Sequence, residues 1–396
     1  MAVKACFIGG ARYSDPLDAT SEKKFRAIKS LGRFFVIGFS QDLRIRRYTE
    51  HARFYLLPQV PWPILRYVEL FLFGQILLFY LIVRNRIDVV VAQSPYEGFV
   101  AALAIKFAGW FGYRTRLVVE IHGDFEKSLF LQRDIQFPRL YRFVMNRFAS
   151  YSIQQADRVR VISNSTREQI ERLAPEKTIV QFPAWTDIET FFQTGKTIED
   201  YAQTILYAGV LTPLKGVHHL LTAFALTAGE FPSVQLSIIG KHENASYAAA
   251  LHKQVKKLGL EARVRFMGAM PQSELASWMA NSSVLVLPSM SEGLGRVIIE
   301  AMATGTPVIG SRVGGISEIV EDGVRGFLVP PGDENALAEK LRWILSNPDK
   351  SSEMGRSGRA FVERFFSTEN YLRGYKQIFE VAQPRIEHAG HATSAL

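Results

Sequence analysis

Short apolar runs rich in β-branched residues, each closed by a turn and followed by a helical stretch, recur through this chain. In the first half they fall at residues 3–8, 34–39, 87–92 and 116–121, with a helix predicted over 21–31. In the second half they fall at 204–207, 235–239, 264–267, 283–287 and 307–310. Strands that alternate with helices form βαβ units, and such units build parallel sheets covered on both faces. The 396 residues exceed what one core usually holds. The pattern therefore predicts two α/β domains, 1–192 and 193–369, with the polar stretch 193–203 as the hinge. No short internal repeat is visible.

Charge separates the two halves. Residues 1–190 hold 27 Lys and Arg against 18 Asp and Glu, while the remaining 20 and 20 cancel, so the whole net charge of +9 lies in the first half. A one-sided basic domain suits a polyanionic partner, either nucleic acid or an anionic membrane surface. Aromatic residues interleaved with basic ones on a recognition module are missing, which disfavours nucleic acid. The single cysteine, Cys6, sits in an apolar run and reads as a buried strand residue; one cysteine excludes a disulfide framework and a cysteine-rich metal site. Residues 1–20 lack a basic start followed by an apolar core, so a cytoplasmic location is expected.

Residues 67–83 are apolar except for Glu69, Gly74 and Gln75, and Arg66, Arg84 and Arg86 flank them. Seventeen residues lie at the lower limit for crossing a bilayer of about 30 Å. Crossing would also place Glu69 in lipid, at about 2–3 kcal/mol. A soluble helix is the expectation. Its apolar faces would seat the domain peripherally on the inner face of the membrane, with Trp62, Tyr67 and the basic residues Arg44, Arg46, Arg47 and Arg53.

The densest chemistry lies between Pro288 and Gly332. A strand ends at Pro288, a loop with Glu292, Gly293 and Gly295 follows, and a helix is predicted from about Leu294 to Thr304. Glycines before a helix N-terminus let backbone N–H groups and the positive dipole end face an anion such as a diphosphate. Glu292 and Glu300 bracket this element, about 12 Å apart at 1.5 Å per residue. That exceeds the carboxyl separation of a glycoside hydrolase and fits one carboxylate at each end of a nucleotide-sugar. The spacing alone carries little information, since two solvated helix carboxylates would show it too.

The segment resembles the C-terminal signature of the retaining GT-B glycosyltransferases of family 4. The matching pieces are Pro288-Ser289, Glu292-Gly293-x-Gly295, Glu300-Ala301-Met302-Ala303-x-Gly305-x-Pro307-Val308, Gly314-Gly315-x-x-Glu318, Asp322-Gly323 and Gly326. The likeness extends to Phe266-Met267-Gly268 and Lys215-Gly216, and continues to about Tyr375. It is weaker in residues 1–190, where Ile121-His122-Gly123 and the stretch from Ala156 to Ser163 carry it. The resemblance implies two Rossmann-like domains facing a central cleft, acceptor in the first and donor in the second. A C-terminal helix at about 370–385 would pack back onto the first domain, and a flexible tail would follow over 386–396.

The resemblance also implies roles. Glu300 would bind the donor ribose. Glu292, with the backbone of Gly293, Leu294 and Gly295, would hold the sugar and the diphosphate. Lys215 would neutralise the departing phosphate, and His122 would contact the sugar from the opposite wall. Gly10 and Gly209 would let the backbone approach the phosphates. The reaction would retain the anomeric configuration with no metal or other cofactor, and no Asp-x-Asp pair stands at a suitable strand end. The partners would be a nucleotide-diphosphate sugar and a glycan or lipid-linked acceptor.

One position departs from the pattern. The family commonly has an arginine after the glycine preceding Lys215, whereas Val210 follows Gly209 here. A guanidinium binds phosphate in two places at once, which an ammonium does not reproduce. Three readings remain open: another cation such as Arg296 compensates, donor binding is weak, or the chain binds without catalysing. Several assignments also have plain structural alternatives: His122 as a strand-end cap, Lys215 as a surface lysine, and Gly314-Gly315 as an ordinary turn. His218-His219 has no third ligand at metal spacing. A nicotinamide-dependent oxidoreductase is disfavoured because Gly9-Gly10-Ala11-Arg12 is not Gly-x-Gly-x-x-Gly.

Overall fold

A computed structural model describes residues 2–123, 125, 138–195, 203–242 and 245–380. Its core is two separate sheets. The first has eight strands: β1 (Val3–Arg12), β2 (Gly32–Phe39), β3 (Arg46–Glu50), β4 (Ala52–Leu57), β5 (Val89–Ala92), β6 (Arg116–Ile121), β7 (Arg158–Val161) and β8 (Ile179–Gln181). Their order is β3-β4-β2-β1-β5-β6-β7-β8, parallel except for the β3–β4 hairpin. The second has six parallel strands: β9 (Thr204–Ala208), β10 (Gln235–Ile239), β11 (Val264–Phe266), β12 (Val284–Leu287), β13 (Val308–Ser311) and β14 (Phe327–Val329), ordered β11-β10-β9-β12-β13-β14.

The central strands of both sheets read as continuous apolar runs because helices cover both faces. Val89–Ala92 and Val284–Leu287 are buried at every position. Strand order reverses between β1 and β5 in the first sheet and between β9 and β12 in the second. At such a reversal the connections leave toward opposite faces and open a crevice at the carboxyl ends of the strands.

The structure corrects the boundary of β1. The sequence places its end at Gly9-Gly10, yet the strand runs on to Arg12, with a register shift between Ile8 and Arg12. Pairing with β2 resumes at Arg12 opposite Phe39, so Gly9, Gly10 and Ala11 bulge between the two paired stretches and Arg12 closes the ladder. Of the hinge expected over 193–203, residues 196–202 lie outside the described residues, as does the tail 386–396.

The apolar stretch around residues 67–83 is one helical rod: helix Pro63–Glu69, a π-turn Leu70–Gly74 and helix Gln75–Asn85. Leu65–Asn85 is long and apolar enough to cross a membrane, with a third of its apolar window buried. Leu70, Leu78, Leu81 and Ile82 face the first sheet's core. Leu65, Val68, Leu72, Phe73, Ile76 and Tyr80 are exposed on the other side.

The last described helix, Thr368–Phe379, returns to the first sheet. Tyr371, Tyr375, Ile378 and Phe379 join the core over β1, β2 and β4. Tyr375 meets Phe7 edge-on with centroids 5.8 Å apart. Gly374 lies against the Phe182 ring, where a Cβ would overlap ring carbons. Gly374→Ala is expected to lower stability by about 1–3 kcal/mol through overpacking, read as a thermal-melting shift; an unchanged melting temperature would mean that the ring moves aside freely.

Candidate active site

The two sheets face each other across a cleft of about 580 Å³. Its lining comes from the carboxyl ends of the strands beside each reversal. Arg12 ends β1 and Tyr13 follows it, Gln93 follows β5, and His122 follows β6. Opposite them, Gly209 and Val210 follow β9, and residues 292–297 follow β12.

Pro288 ends β12, and helix Arg296–Ala303 starts at Gly295, whose φ of 76° is in the left-handed region that glycine tolerates. The loop between them fits only because Gly293 has no side chain: a Cβ there would overlap the carbonyl oxygen of His122 on the opposite wall. The Gly314-Gly315 turn lies beneath the same loop, and a Cβ on Gly314 would overlap the Glu292 carbonyl. This turn supports the loop by backbone packing. Glu318, at the end of the motif, accepts hydrogen bonds from the backbone N–H groups of Asn164 (2.6 Å) and Ser165 (3.3 Å) in the first unit.

The expected residues converge unevenly. Lys215 and Glu292 meet directly, Nζ to Oε1 at 2.5 Å, and Ser289 Oγ donates to the same oxygen at 2.9 Å. Both line the cleft, as do His122, Gly209, Gly293, Leu294, Gly295 and Arg296. Glu300 sits one helical turn below the rim, buried, with Arg296 Nη2 3.7 Å from its Oε1, and is not part of the lining. Burial pushes the Glu300 carboxyl up to about 7 against the pull of Arg296. Gly10 also stands behind the lining; its neighbour is Glu97, whose carboxyl burial raises to about 7.

His122 is held from behind. Its Nε2 lies 2.9 Å from Glu120 Oε2, while Glu120 Oε1 accepts from Arg160 Nη1 (2.7 Å) and Tyr375 Oη (2.7 Å). Arg160 is 1% exposed, stacks 4.0 Å from the Phe182 ring centroid, and donates to the Pro183 carbonyl at 2.8 Å. Against its burial, the Arg160 guanidinium and the hydrogen bonds with His122 and Tyr375 hold the Glu120 carboxyl well below the usual carboxylate range. None of Glu120, Arg160 and Tyr375 was expected at the site. The available signal was a charged residue at the inward position of two apolar strands, Val-Val-Glu-Ile and Val-Arg-Val.

His218 and His219 bond to Tyr247 (2.8 Å) and Glu334 (2.9 Å), and no cluster of potential metal ligands occurs among the described residues.

Two family models match this chain: "Glycosyl transferases group 1" over residues 187–361 and "Glycosyltransferase Family 4" over 33–189. The chain belongs to the family 4 glycosyltransferases. A Bacillus anthracis relative named N-acetyl-alpha-D-glucosaminyl L-malate synthase is 29% identical over 68% of each chain. A D-inositol 3-phosphate glycosyltransferase of Streptomyces scabiei is 39% identical over 40% of this chain, which spans only 37% of that relative. Among solved structures, a sucrose-phosphate synthase from Thermosynechococcus elongatus superposes with a TM-score of 0.77 at 21% identity, covering 96% of this chain and all of the other. Anabaena HepE in complex with UDP-glucose gives 0.72 at 21% identity over the same shares. The two facing sheets are thus the GT-B fold.

The Glu300 carboxyl has a stability consequence in the glycosyltransferase. Its folded pKa of about 7 lies above the ordinary 4.5, so the folded state binds more protons between those values. Stability therefore falls as pH rises from about 4.5 to 7, by up to about 3 kcal/mol from this group. Glu300→Gln is expected to flatten part of that decline in melting temperature; an identical pH profile would place the titration elsewhere.

Proposed function

We propose that this glycosyltransferase moves a sugar from a nucleotide-diphosphate sugar to a hydroxyl of a glycan or lipid-linked acceptor, with retention of anomeric configuration. The carrying observation is the Lys215–Glu292 pair at the glycine-lined helix start, directly across from His122. A carboxylate for sugar hydroxyls, a cation for a phosphate and free N–H groups converge at one place. The names of the relatives above include L-malate and inositol 3-phosphate, and one structural neighbour was solved with UDP-glucose. UDP-sugars are accordingly the first donors to test.

In this reading the bond from the anomeric carbon to the diphosphate breaks through a short-lived oxocarbenium-like species. The acceptor oxygen forms its new bond on the same face, and its proton passes to the departing diphosphate oxygen. Catalysis is then electrostatic stabilisation of the leaving group together with orientation in a closed cleft. Lys215, the N–H groups at the helix start and Arg296 carry that charge, so the reading requires no divalent metal. Glu300 accepts the ribose hydroxyls, and Glu292 accepts those of the sugar.

Glu300→Gln is expected to weaken donor binding about tenfold, on the scale of one charged hydrogen bond, and Glu292→Gln chiefly to lower kcat. Calorimetric donor titration and initial rates separate the two. NMR of the anomeric centre in the product reads stereochemistry. Wild-type behaviour of both variants would remove this donor site, and an inverted product would remove the mechanism.

The reading extends to location: a cytoplasmic enzyme seated on the inner membrane face, working in polysaccharide, lipopolysaccharide or glycolipid assembly. Its support is the outward stripe of Leu65, Leu72, Phe73, Ile76 and Tyr80, continued by exposed Phe107, Trp110 and Phe111. Phe79 of helix Gln75–Asn85 lies 5.1 Å between ring centroids from Phe107 of helix Pro95–Gly109 and 5.9 Å from Phe111 just beyond it. Arg139, Arg142 and Arg147 line a surface cavity of about 470 Å³ in the same unit. By contrast, Arg46 of the basic cluster is paired with Asp42 at 2.6 Å. An apolar stripe beside arginines suits insertion at the headgroup level of an anionic bilayer. The chain is expected to float with phosphatidylglycerol vesicles, less so in 1 M salt, and Phe73→Ser with Ile76→Ser to abolish flotation. Flotation that ignored both changes would sink the seat.

A further inference from the structure

The cations on the donor wall already face carboxylates. Lys215 is bonded to Glu292, and Arg296 leans on Glu300. Val210, where the family has an arginine, offers the cleft only an apolar side chain, and its carbonyl accepts from Tyr207 Oη at 3.0 Å. A diphosphate bound there would meet one ammonium engaged by Glu292 and one guanidinium shared with Glu300.

The opposite wall holds a cation in a different state. Lys24 projects into the cleft from helix Ala19–Ile28, the first element after β1. Its stem is partly buried, with Nζ 5.8 Å from the Phe7 centroid and 5.5 Å from that of Phe25. Among the described residues no acceptor bonds its ammonium, whereas Lys23 beside it is paired with Asp187 at 2.9 Å. The nearby charges are Glu120, already shared by Arg160, Tyr375 and His122, and the repelling Arg160 and Arg296. Burial and the two arginines pull the ammonium down to about 8, although Glu120 opposes them. The faces of Phe7 and Phe25 stabilise the ammonium in part, but a partly desolvated cation without a counter-ion still carries a cost. Its position in a cleft, facing other cations, marks a place short of an anion.

We propose that Lys24 provides the phosphate contact that position 210 lacks, gripping the donor diphosphate from the N-terminal wall while Lys215 and the glycine-lined helix start hold it from the other. This rests on the donor-site reading above. The nucleotide would then bridge the two units, so that its phosphates help to hold the cleft closed.

The test is calorimetric titration of UDP into wild type, Lys24→Met, Lys24→Arg and the double variant Lys24→Met with Val210→Arg. Methionine keeps an apolar stem of similar length but gives up the ammonium's contacts with the Phe7 and Phe25 rings, and an unchanged melting temperature certifies the fold. Lys24→Met is expected to lose about ten- to a hundredfold in UDP affinity, the scale of a charged hydrogen bond. Lys24→Arg should stay within a few-fold of wild type, and Val210→Arg should restore most of the loss. UDP affinity unchanged in Lys24→Met but reduced in Glu300→Gln would overturn the role of Lys24 and leave the donor site standing. Indifference of both variants would fell the donor site itself. A Lys24→Met variant that binds UDP normally but shows a raised KM for acceptor alone would also overturn the proposal, assigning the amine to the acceptor.

Discussion

The buried pairing of Arg160 with Glu120 is the interaction on which the rest of the molecule depends. Both side chains are almost fully buried, and taking two charges out of water costs several kcal/mol apiece unless their remaining bonds are filled. Here most are filled: Glu120 by Tyr375 and His122, and Arg160 by the Pro183 carbonyl and the aromatic faces of Phe182 and Tyr375. One carboxylate therefore binds three distant parts of the chain: β6, β7 and the C-terminal helix. The same carboxylate orients the histidine on the cleft wall. Packing of the last helix and geometry of the site are, at this point, one network.

The second constraint is steric. Only a main chain without side chains can bring the donor-side loop against the His122 carbonyl, and only a second pair of glycines can support that loop from below. Glu318 then fastens the supporting turn to the first turn of helix Asn164–Leu173, where its charge also complements the helix dipole. These contacts are few, polar and partly exposed. They fit units that separate and close again more readily than a continuous apolar seam would.

Much of this was legible in the sequence where the signal is local. Arg116–Ile121 and Gln235–Ile239 were read with their observed bounds, and the glycine loop at Gly293 and Gly295 was read with its neighbours. Five strands were missed: Arg46–Glu50, Ala52–Leu57, Arg158–Val161, Ile179–Gln181 and Phe327–Val329. Arg46–Glu50 is a polar edge strand that exists by pairing with Ala52–Leu57, and Ile179–Gln181 and Phe327–Val329 are too short to show a period. Within the site, Lys215, Glu292 and His122 stood in recognisable motifs. Lys24 stood in an ordinary amphipathic helix, and Tyr375 lies 255 residues from the carboxylate it serves. Nothing in spacing reports a partner reached only through the tertiary fold.

The return of helix Thr368–Phe379 to the first sheet brings the chain back to the unit in which it began. The second sheet is inserted within the first unit: helix Glu189–Gln193 already packs into the second core through Phe191, and the chain leaves that core after helix Pro348–Phe365. Two covalent crossings act like the paired pins of a door: they permit swinging about the line that joins them and resist twisting across it. Relative motion of the walls is thereby guided along a single arc, so a nucleotide entering the crevice would meet its opposing groups in nearly the same alignment at each closure.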